Sequence, residues 1–525
     1  MHVSKFILTH DLGTTGNKAV LFDFDLNVIA QAREDYPLYY PKPGFAEQEP
    51  SDFWNAVKNT TIKLLEDSNV NSSDVKALVF DCQMNCTIPI DNYGNPLMRA
   101  ISWLDVRAAS LIQKKLGGLI KISGFGITKL LKFLKITGGA PGTNGKDPIS
   151  HILWLNENQP DLYNNTFKFL SVKDYIIYKC TEKAVTSRDL GHTSWLMNSN
   201  PEIFDWAGPL LKKYKIDSEK LPEIRKSSEI AGNLNSEAAN NLSLNKETPV
   251  FVGSGDIISG AVGSGAAHNQ LIACLGTADW IAAHVTNRII DLTNYTGSIS
   301  SIQDKYLCIS KQETGAVCLN WTLDNMYQDE KQRFKGKIDE FYSYIDDAAL
   351  NAPVGSRNLI FTPWMFGERS PINDSNVRAG FYNLSLEHDR SDLLRSVYEG
   401  VGFNMKWAHL IVEGLLKKKE TLKTETVNFV GGGAKSEPWC QILSDIFQKD
   451  VNQMLEPDLA AAKGSAVIAL IGLGKFNNIE DAMPYIKIQK TYTPNPDNQD
   501  IYENLFAEYL NIYKNNKAMF KTLNK

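Results

Sequence analysis

Two short turns in this sequence have the residue types to hold phosphate. Asp11-Leu12-Gly13-Thr14-Thr15-Gly16 follows an apolar stretch. A tight turn after a buried strand exposes several backbone N–H groups, and its glycines let phosphate oxygens come close. The hydroxyls of Thr14 and Thr15 add donors. Asp11, at the strand end, can hold Mg2+ directly or through water. An ordinary β-hairpin favours Gly and Thr as well, so this turn alone is ambiguous. Gly276-Thr277-Ala278 repeats the device. Two such turns facing one cleft could grip a polyphosphate from both sides.

Gly253-Ser254-Gly255-Asp256 sets a carboxylate on a Gly-rich turn after another apolar run. A base for phosphoryl transfer need only accept the proton of the attacking hydroxyl, because most of the catalysis is positioning and charge neutralisation. Asp256 can equally cap the helix that follows, and the two roles are compatible. Val430-Gly431-Gly432-Gly433-Ala434 suits the flat face of adenine or a close phosphate. It is not a Walker A loop, since Ala434 stands where that motif needs glycine. GxGxxG after the first strand, HExxH, GxSxG and zinc spacings are all absent from the sequence.

These residues need strand ends and helix starts to carry them. Phe6–Leu8, Ala19–Phe24 and Val28–Ala32 read as a three-stranded meander, followed by a helix from about Ser51 and a buried strand at Val75–Phe80. Similar order returns about 260 residues later, with strands at Leu271–Leu275, Trp280–Val285, Tyr306–Ser310 and Val427–Val430, and a helix at Ser436–Phe447. The pattern predicts an α/β protein of two related lobes, with mixed sheets flanked by helices and a cleft between them. The polar segment Ser227–Pro249 is the expected boundary, giving lobes 1–248 and 249–525, the second ending in a helical tail from about Asn498.

The 525 residues carry a net charge of −5 and 43% hydrophobic residues, ordinary for a globular protein and without the basic excess of a nucleic-acid binder. Seven scattered cysteines, with no CxxC, suit a reducing, cytoplasmic compartment; Cys82 and Cys86 are expected as core thiols. The N-terminus lacks the layout of a signal peptide, and no apolar run is long enough to cross a membrane. Leu111–Ile136 is basic and amphipathic, but four glycines break its period; it is expected to pack on its own lobe rather than on a membrane.

Taken together, the motifs resemble those of the FGGY carbohydrate kinases, of the actin-like (ribonuclease H-like) ATPase superfamily, along nearly the whole chain. The hairpins at Asp11 and Gly276-Thr277, the Gly255-Asp256 turn, Glu47-Gln48-Glu49-Pro50 with Trp54, Ile152-Leu153-Trp154, Gly380-Phe381 through Asp392, Tyr398, Glu399 and Gly400, and Gly432-Gly433-Ala434 follow in the family's order. The resemblance implies Asp256 as the base, with Asp11 and Asp256 near Mg2+, mainly through water. It implies ATP contacts from Gly13, Thr14, Thr15, Gly276, Thr277, Gly315, Gly432, Gly433 and Ala434. It assigns the sugar to Gln83, Met84, Asn85, Trp103, Asp105 and Asp256, and leaves a homodimer open.

Gln83-Met84 followed by Trp103 and Asp105 is most similar to the xylulose kinase branch, so a ketose such as D-xylulose is the expected acceptor. Ribulose, erythritol or glycerol, or a non-catalytic nucleotide switch on the same scaffold, are the alternatives. Asn85 stands where that branch has His, Leu104 where Asn is frequent, His151 where Lys is usual, and Asn383 where Gly is expected. His10 interrupts the first strand and is expected to be buried and hydrogen-bonded, while Asp279 sits unusually close to the second hairpin. Arg107 and Lys18 are read as packing or surface cations that could add charge near the cleft.

Overall fold

The structure, a computed structural model, describes residues 5–122, 124–203, 205–419 and 425–524. The chain divides into two compact units. The first holds Met1–Gly263, Ile299–Tyr306 and Ala461–Tyr485; the second holds Ser264–Ser298, Leu307–Ala460 and Ile486–Lys525.

In the first unit the expected meander is β1 (Phe6–Leu12), β2 (Gly16–Asp23) and β3 (Val28–Asp35). Helix α1 (Pro50–Ser68) lies against β2 and β3, with Pro50 in its first turn and Phe53, Ala56, Val57 and Leu64 on its buried face. β4 (Val75–Cys82), β5 (Ile230–Asn233) and β6 (Pro249–Gly255) complete a mixed sheet of order β5-β6-β4-β1-β2-β3. β1 runs parallel to β4 with Asp11 opposite Asp81, and β6 runs parallel to β4 with Ser254 opposite Asp81. Three strand ends therefore present Asp11, Asp81 and the Ser254–Asp256 turn side by side.

That sheet corrects the expected boundary at 248. Ser227–Pro249 is not a linker: it contains β5 and a helix, Ser236–Leu242, that buries Ala238, Ala239 and Leu242. β5 pairs antiparallel with β6, which keeps β6 and the next helix, α2 (Asp256–Gly263), in the first unit. Its few leucines, Leu234, Leu242 and Leu244, are all buried, but they are spread among polar residues and show no clear period.

The amphipathic insertion is two helices, Ala109–Leu116 and Ile127–Thr137, joined by a small hairpin. Ser123 of this segment lies outside the described residues. Leu130 and Phe133 are buried, and Phe133 shares a core with Ile149 and Leu153, so the second helix packs on its own unit as expected. No described helix is long and apolar enough to cross a membrane.

The second unit has an eight-stranded sheet. Its strands are β7 (Leu271–Leu275), β8 (Asp279–Val285), β9 (Ile290–Asp291), β10 (Thr296–Ser300), β11 (Tyr306–Lys311), β12 (Thr426–Val430), β13 (Asp450–Met454) and β14 (Ile488–Tyr492), in the order β9-β10-β11-β8-β7-β12-β13-β14. β7 is antiparallel to β8 and parallel to β12. β1 makes the same two pairings with β2 and β4, so the sequence repeat is also a topological one. The tail helix, Gln499–Leu523, buries Tyr502, Leu505, Phe506 and Tyr509, with Tyr509 against Trp364 and Phe403.

Candidate active site

In the first unit the hairpin between β1 and β2 is pinned from outside. Gly13 N–H donates to Gly16 O at 3.0 Å, Tyr36 OH to Gly13 O at 2.7 Å and Gln48 Nε2 to Thr14 O at 2.9 Å. Trp103 Nε1 donates to Thr14 Oγ1 at 3.0 Å, tying the expected sugar-side tryptophan to the expected phosphate turn. Asp11 is half-buried and Thr15 exposed. His10, on β1, is fully buried, with its ring nitrogens near Asn17 Nδ2 (3.0 Å) and Thr61 Oγ1 (3.1 Å); burial pulls its pKa down to about 3, so it is neutral structure, as expected.

Asp256 opens α2, and its Oδ1 accepts from Ile257 N–H at 2.8 Å. The turn before it is held by Asp189, whose Oδ2 accepts from Gly255 N–H at 2.6 Å. Met84 packs against Gly255, where an added Cβ would meet Met84 Cγ at 2.7 Å. Asp81 lies fully buried beside these groups. Burial first, and then the charge of Asp11, push its pKa well above the usual carboxylate range, with Asp256 adding in the same direction. Its Oδ2 accepts from Ser465 Oγ at 2.7 Å, while Oδ1 has no hydrogen-bond partner. Ser465 Oγ lies 3.0 Å from Ser259 Oγ on α2.

Among the described residues, no three His, Cys, Asp or Glu side chains converge to hold a metal directly. The crowding of Asp11, Asp81 and Asp256 fits a divalent cation held through water, since a cation would relieve the repulsion that Asp81 records.

Of the sugar-side residues, Gln83 and Asn85 follow β4 directly, and Trp103 is half-buried. Asp105 departs from expectation. It is fully buried, accepts from Ala46 N–H at 2.7 Å, and forms a fork with Arg107, whose Nη2 also reaches Glu47 at 2.6 Å. Arg107 stacks 3.9 Å from the Phe45 ring centroid. Asp105 is thus spent on structure, and Arg107 is a packing cation.

In the second unit the expected nucleotide residues come together. Gly315 N–H donates to Thr277 O at 2.9 Å and Ala316 N–H to Gly276 O at 2.9 Å, joining the Gly276-Thr277 turn to the helix Val317–Met326. The Gly432–Lys435 turn abuts the end of β7. Gly431 has φ 92°, and an added Cβ would lie 2.5 Å from Leu275 O; one at Gly433 would lie 2.3 Å from the Leu275 side chain. Gly432 faces open space, whereas Ala434 is fully buried. Gly432 therefore lies open at the surface of the turn, with Ala434 packed beneath it. Asp279 is fully buried over Gly315, its carboxyl driven well up by burial and then by Glu368; burial also raises Glu368 to about 7.

Sequence reasoning missed Asp81, Asp189, Asp147 and Trp195. Asp81 carried a signal, an acidic residue inside an otherwise apolar strand; the others carried none, because their partners lie far away in the chain.

Two α/β units, each with a strand–turn–strand hairpin, one ending in a cluster of carboxylates and the other in a glycine-rich turn, have the architecture of a phosphotransferase of the actin-like ATPase fold. Models of the FGGY family of carbohydrate kinases match the chain over residues 6–263 (N-terminal domain) and 283–473 (C-terminal domain). The chain belongs to that family and is an ATP-dependent carbohydrate kinase. A xylulose kinase of Staphylococcus epidermidis is 28% identical over 523 residues, covering 98% of each chain. Among solved structures, a gluconate kinase and a ligand-bound xylulose kinase, both from Lactobacillus acidophilus, superpose with TM-scores of 0.85 at 27% and 26% identity, each over 99% of this chain and 100% of the other.

Proposed function

We propose that this chain transfers the γ-phosphoryl group of ATP to a hydroxyl of a small ketose, with D-xylulose the first candidate. The observation that carries the reading is the neighbourhood of Asp256. It stands at the end of β6, beside β4, which leads into Gln83 and Asn85, and β4 stands beside β1, which leads into Asp11 and the Thr14-Thr15 turn.

In this reading Asp256 accepts the proton of the acceptor hydroxyl, its carboxylate oriented by Ile257 N–H. Gly13, Thr14 and Thr15, and Gly276 and Thr277, bind phosphate oxygens through N–H and hydroxyl donors, and Gly315 and Gly432 border the nucleotide. Mg2+ would be held through water by Asp11 and Asp256, and when bound it offsets phosphate charge. Xylulose kinases among the relatives and solved structures support a ketose.

The test is Asp256→Asn, which keeps size and much of the hydrogen bonding but removes the base. The expected result is a fall in kcat of about 100- to 10,000-fold, with the melting temperature little changed. Near-normal kcat would remove Asp256 from this role. If no sugar or polyol raises ADP release above background, the assignment of a ketose acceptor to this site fails.

A further inference from the structure

An amide side chain can meet a ligand with either its oxygen or its nitrogen. At Gln83 and Asn85 the surroundings make that choice. Gln48 reaches the backbone carbonyl of Thr14 at 2.9 Å, which only its Nε2 can do, so its Oε1 is an acceptor. Gln83 must therefore turn its NH2 group to that oxygen, which it meets at 2.7 Å. Its own Oε1 is left buried without a donor, in a residue only 2% exposed.

Asn85 is fixed in the same sense. Its Nδ2 donates to Asp147 Oδ1 at 3.3 Å. Asp147 is held in place, because Trp195 Nε1 donates to the same oxygen at 3.1 Å and Gly142 N–H to the other at 2.6 Å. Asn85 Oδ1 is then buried without a donor, on a backbone at φ 64° that Asn tolerates better than most residues. Each amide has given one N–H to the protein, which fixes its flip and leaves its carbonyl oxygen as a buried, unpartnered acceptor.

We infer that Gln83 and Asn85 offer the substrate their carbonyl oxygens, a pair of acceptors that favours a neutral polyhydroxy substrate over an aldonate, and that Asp147, steadied by Trp195 and Gly142, sets Asn85 in this sense. The inference rests on the carbohydrate-kinase reading of the site. A ketose or polyol brings O–H donors to both oxygens. The carboxylate end of an aldonate brings none, and where it faced these oxygens it would add charge beside Asp147. Arg107 is committed to Asp105 and Glu47. A cation that an aldonate could use is Lys146, 5.8 Å from the Trp103 ring centroid and next to Asp147 in the chain. The solved gluconate and xylulose kinases superpose equally well, so the backbone does not separate the two substrate classes and the amides are the place to look.

The test compares initial rates of the full chain with ATP and D-xylulose, D-ribulose, xylitol or D-gluconate. Gluconate is expected to show a kcat/KM at least about a thousandfold below that of the best neutral acceptor. Asn85→Leu and Asp147→Asn should each raise KM for that acceptor about tenfold with kcat changed less than about threefold, and the double variant should be no worse than the worse single one. Trp195→Phe removes one donor to Asp147 and should act in the same direction, more weakly. It and Asn85→Leu carry the test if melting curves show that Asp147→Asn is unfolded. Gluconate turnover within tenfold of the best neutral acceptor, lost on Lys146→Ala, overturns the inference and leaves the kinase reading intact. An unchanged KM in Asn85→Leu also overturns it. If no acceptor raises ADP release, the kinase reading fails and the inference with it.

Discussion

Gly253→Ala should damage the active site without touching any residue that meets substrate. β6 pairs with β4 as Phe251 opposite Val79 and then Ser254 opposite Asp81, so β6 carries one more residue than its partner across this stretch. Gly253 sits in that bulge at φ 66°, and a Cβ there would lie 2.0 Å from Phe80 O, where real contacts stay beyond 3.0 Å. Left-handed backbone alone costs alanine about 1–2 kcal/mol. The clash is with backbone, so β6 must also move by roughly 1 Å, and the summed loss should be about 3–5 kcal/mol. Asp256 lies three residues on, and a shift of that size at a reacting group costs on the order of a hundredfold in rate. Denaturant unfolding and steady-state kinetics measure the two effects. Gly414→Ala is the control: it is helical, has open space around it, and should gain up to about 1 kcal/mol with unchanged kinetics. If Gly253→Ala matches the unsubstituted protein in both measurements, the bulge is not what aims Asp256.

Three further outcomes are expected. Gly315→Ala would place its Cβ 1.6 Å from Asp279 Oδ1 and should raise KM for ATP; Asp279→Ala should restore it in the double variant, and failure of that rescue would refute the steric account. His10, His151 and His409 are buried neutral, with pKa values pulled down by burial to about 3, 4 and 4. Because their folded values lie below the unfolded one, the unfolded chain binds more protons, and stability falls as pH drops from about 6.5 towards 4, by about 2 kcal/mol per histidine at pH 5; a denaturation midpoint equal at pH 7.5 and pH 5 would contradict this. Glu368 works in the opposite direction: its raised pKa of about 7 means ionisation opposes folding as pH rises from about 4.5 to 7, so Glu368→Gln should remove that fall from denaturation midpoints measured across this window.

The strands and turns that carry chemistry were legible in the sequence, because local turn chemistry and apolar runs decide them: β1 to β3, the β7–β8 turn and the Gly-rich exit of β12 fall where the pattern puts them. The family motifs added the role of Asp256. The domain boundary was not legible, because a seven-residue helix that buries two alanines and one leucine reads like a linker. Nor was the use of Asp105, since an acidic residue looks the same whether it meets a ligand or an arginine. The hydrogen bonds that set the pocket are the least local. Asn85 and Asp147 are 62 residues apart, and Asp81 and Ser465 are 384 apart, so no spacing rule connects them.

That last distance bears on how the protein is made. The first unit is interrupted in sequence, and Ala461–Tyr485 returns to it only after most of the second unit has passed. Until then Asp81 lacks the Ser465 hydroxyl, and the face of α2 at Ser259 and Gly263, against which Gly464 fits so closely that a Cβ there would lie 1.8 Å from Ser259 O, stays uncovered. A nascent chain therefore carries its acidic centre unfinished for nearly the whole of translation. Neither unit can be completed by an uninterrupted stretch of the chain, and the carboxylates reach their final environment only once Ala461–Tyr485 has joined the first unit.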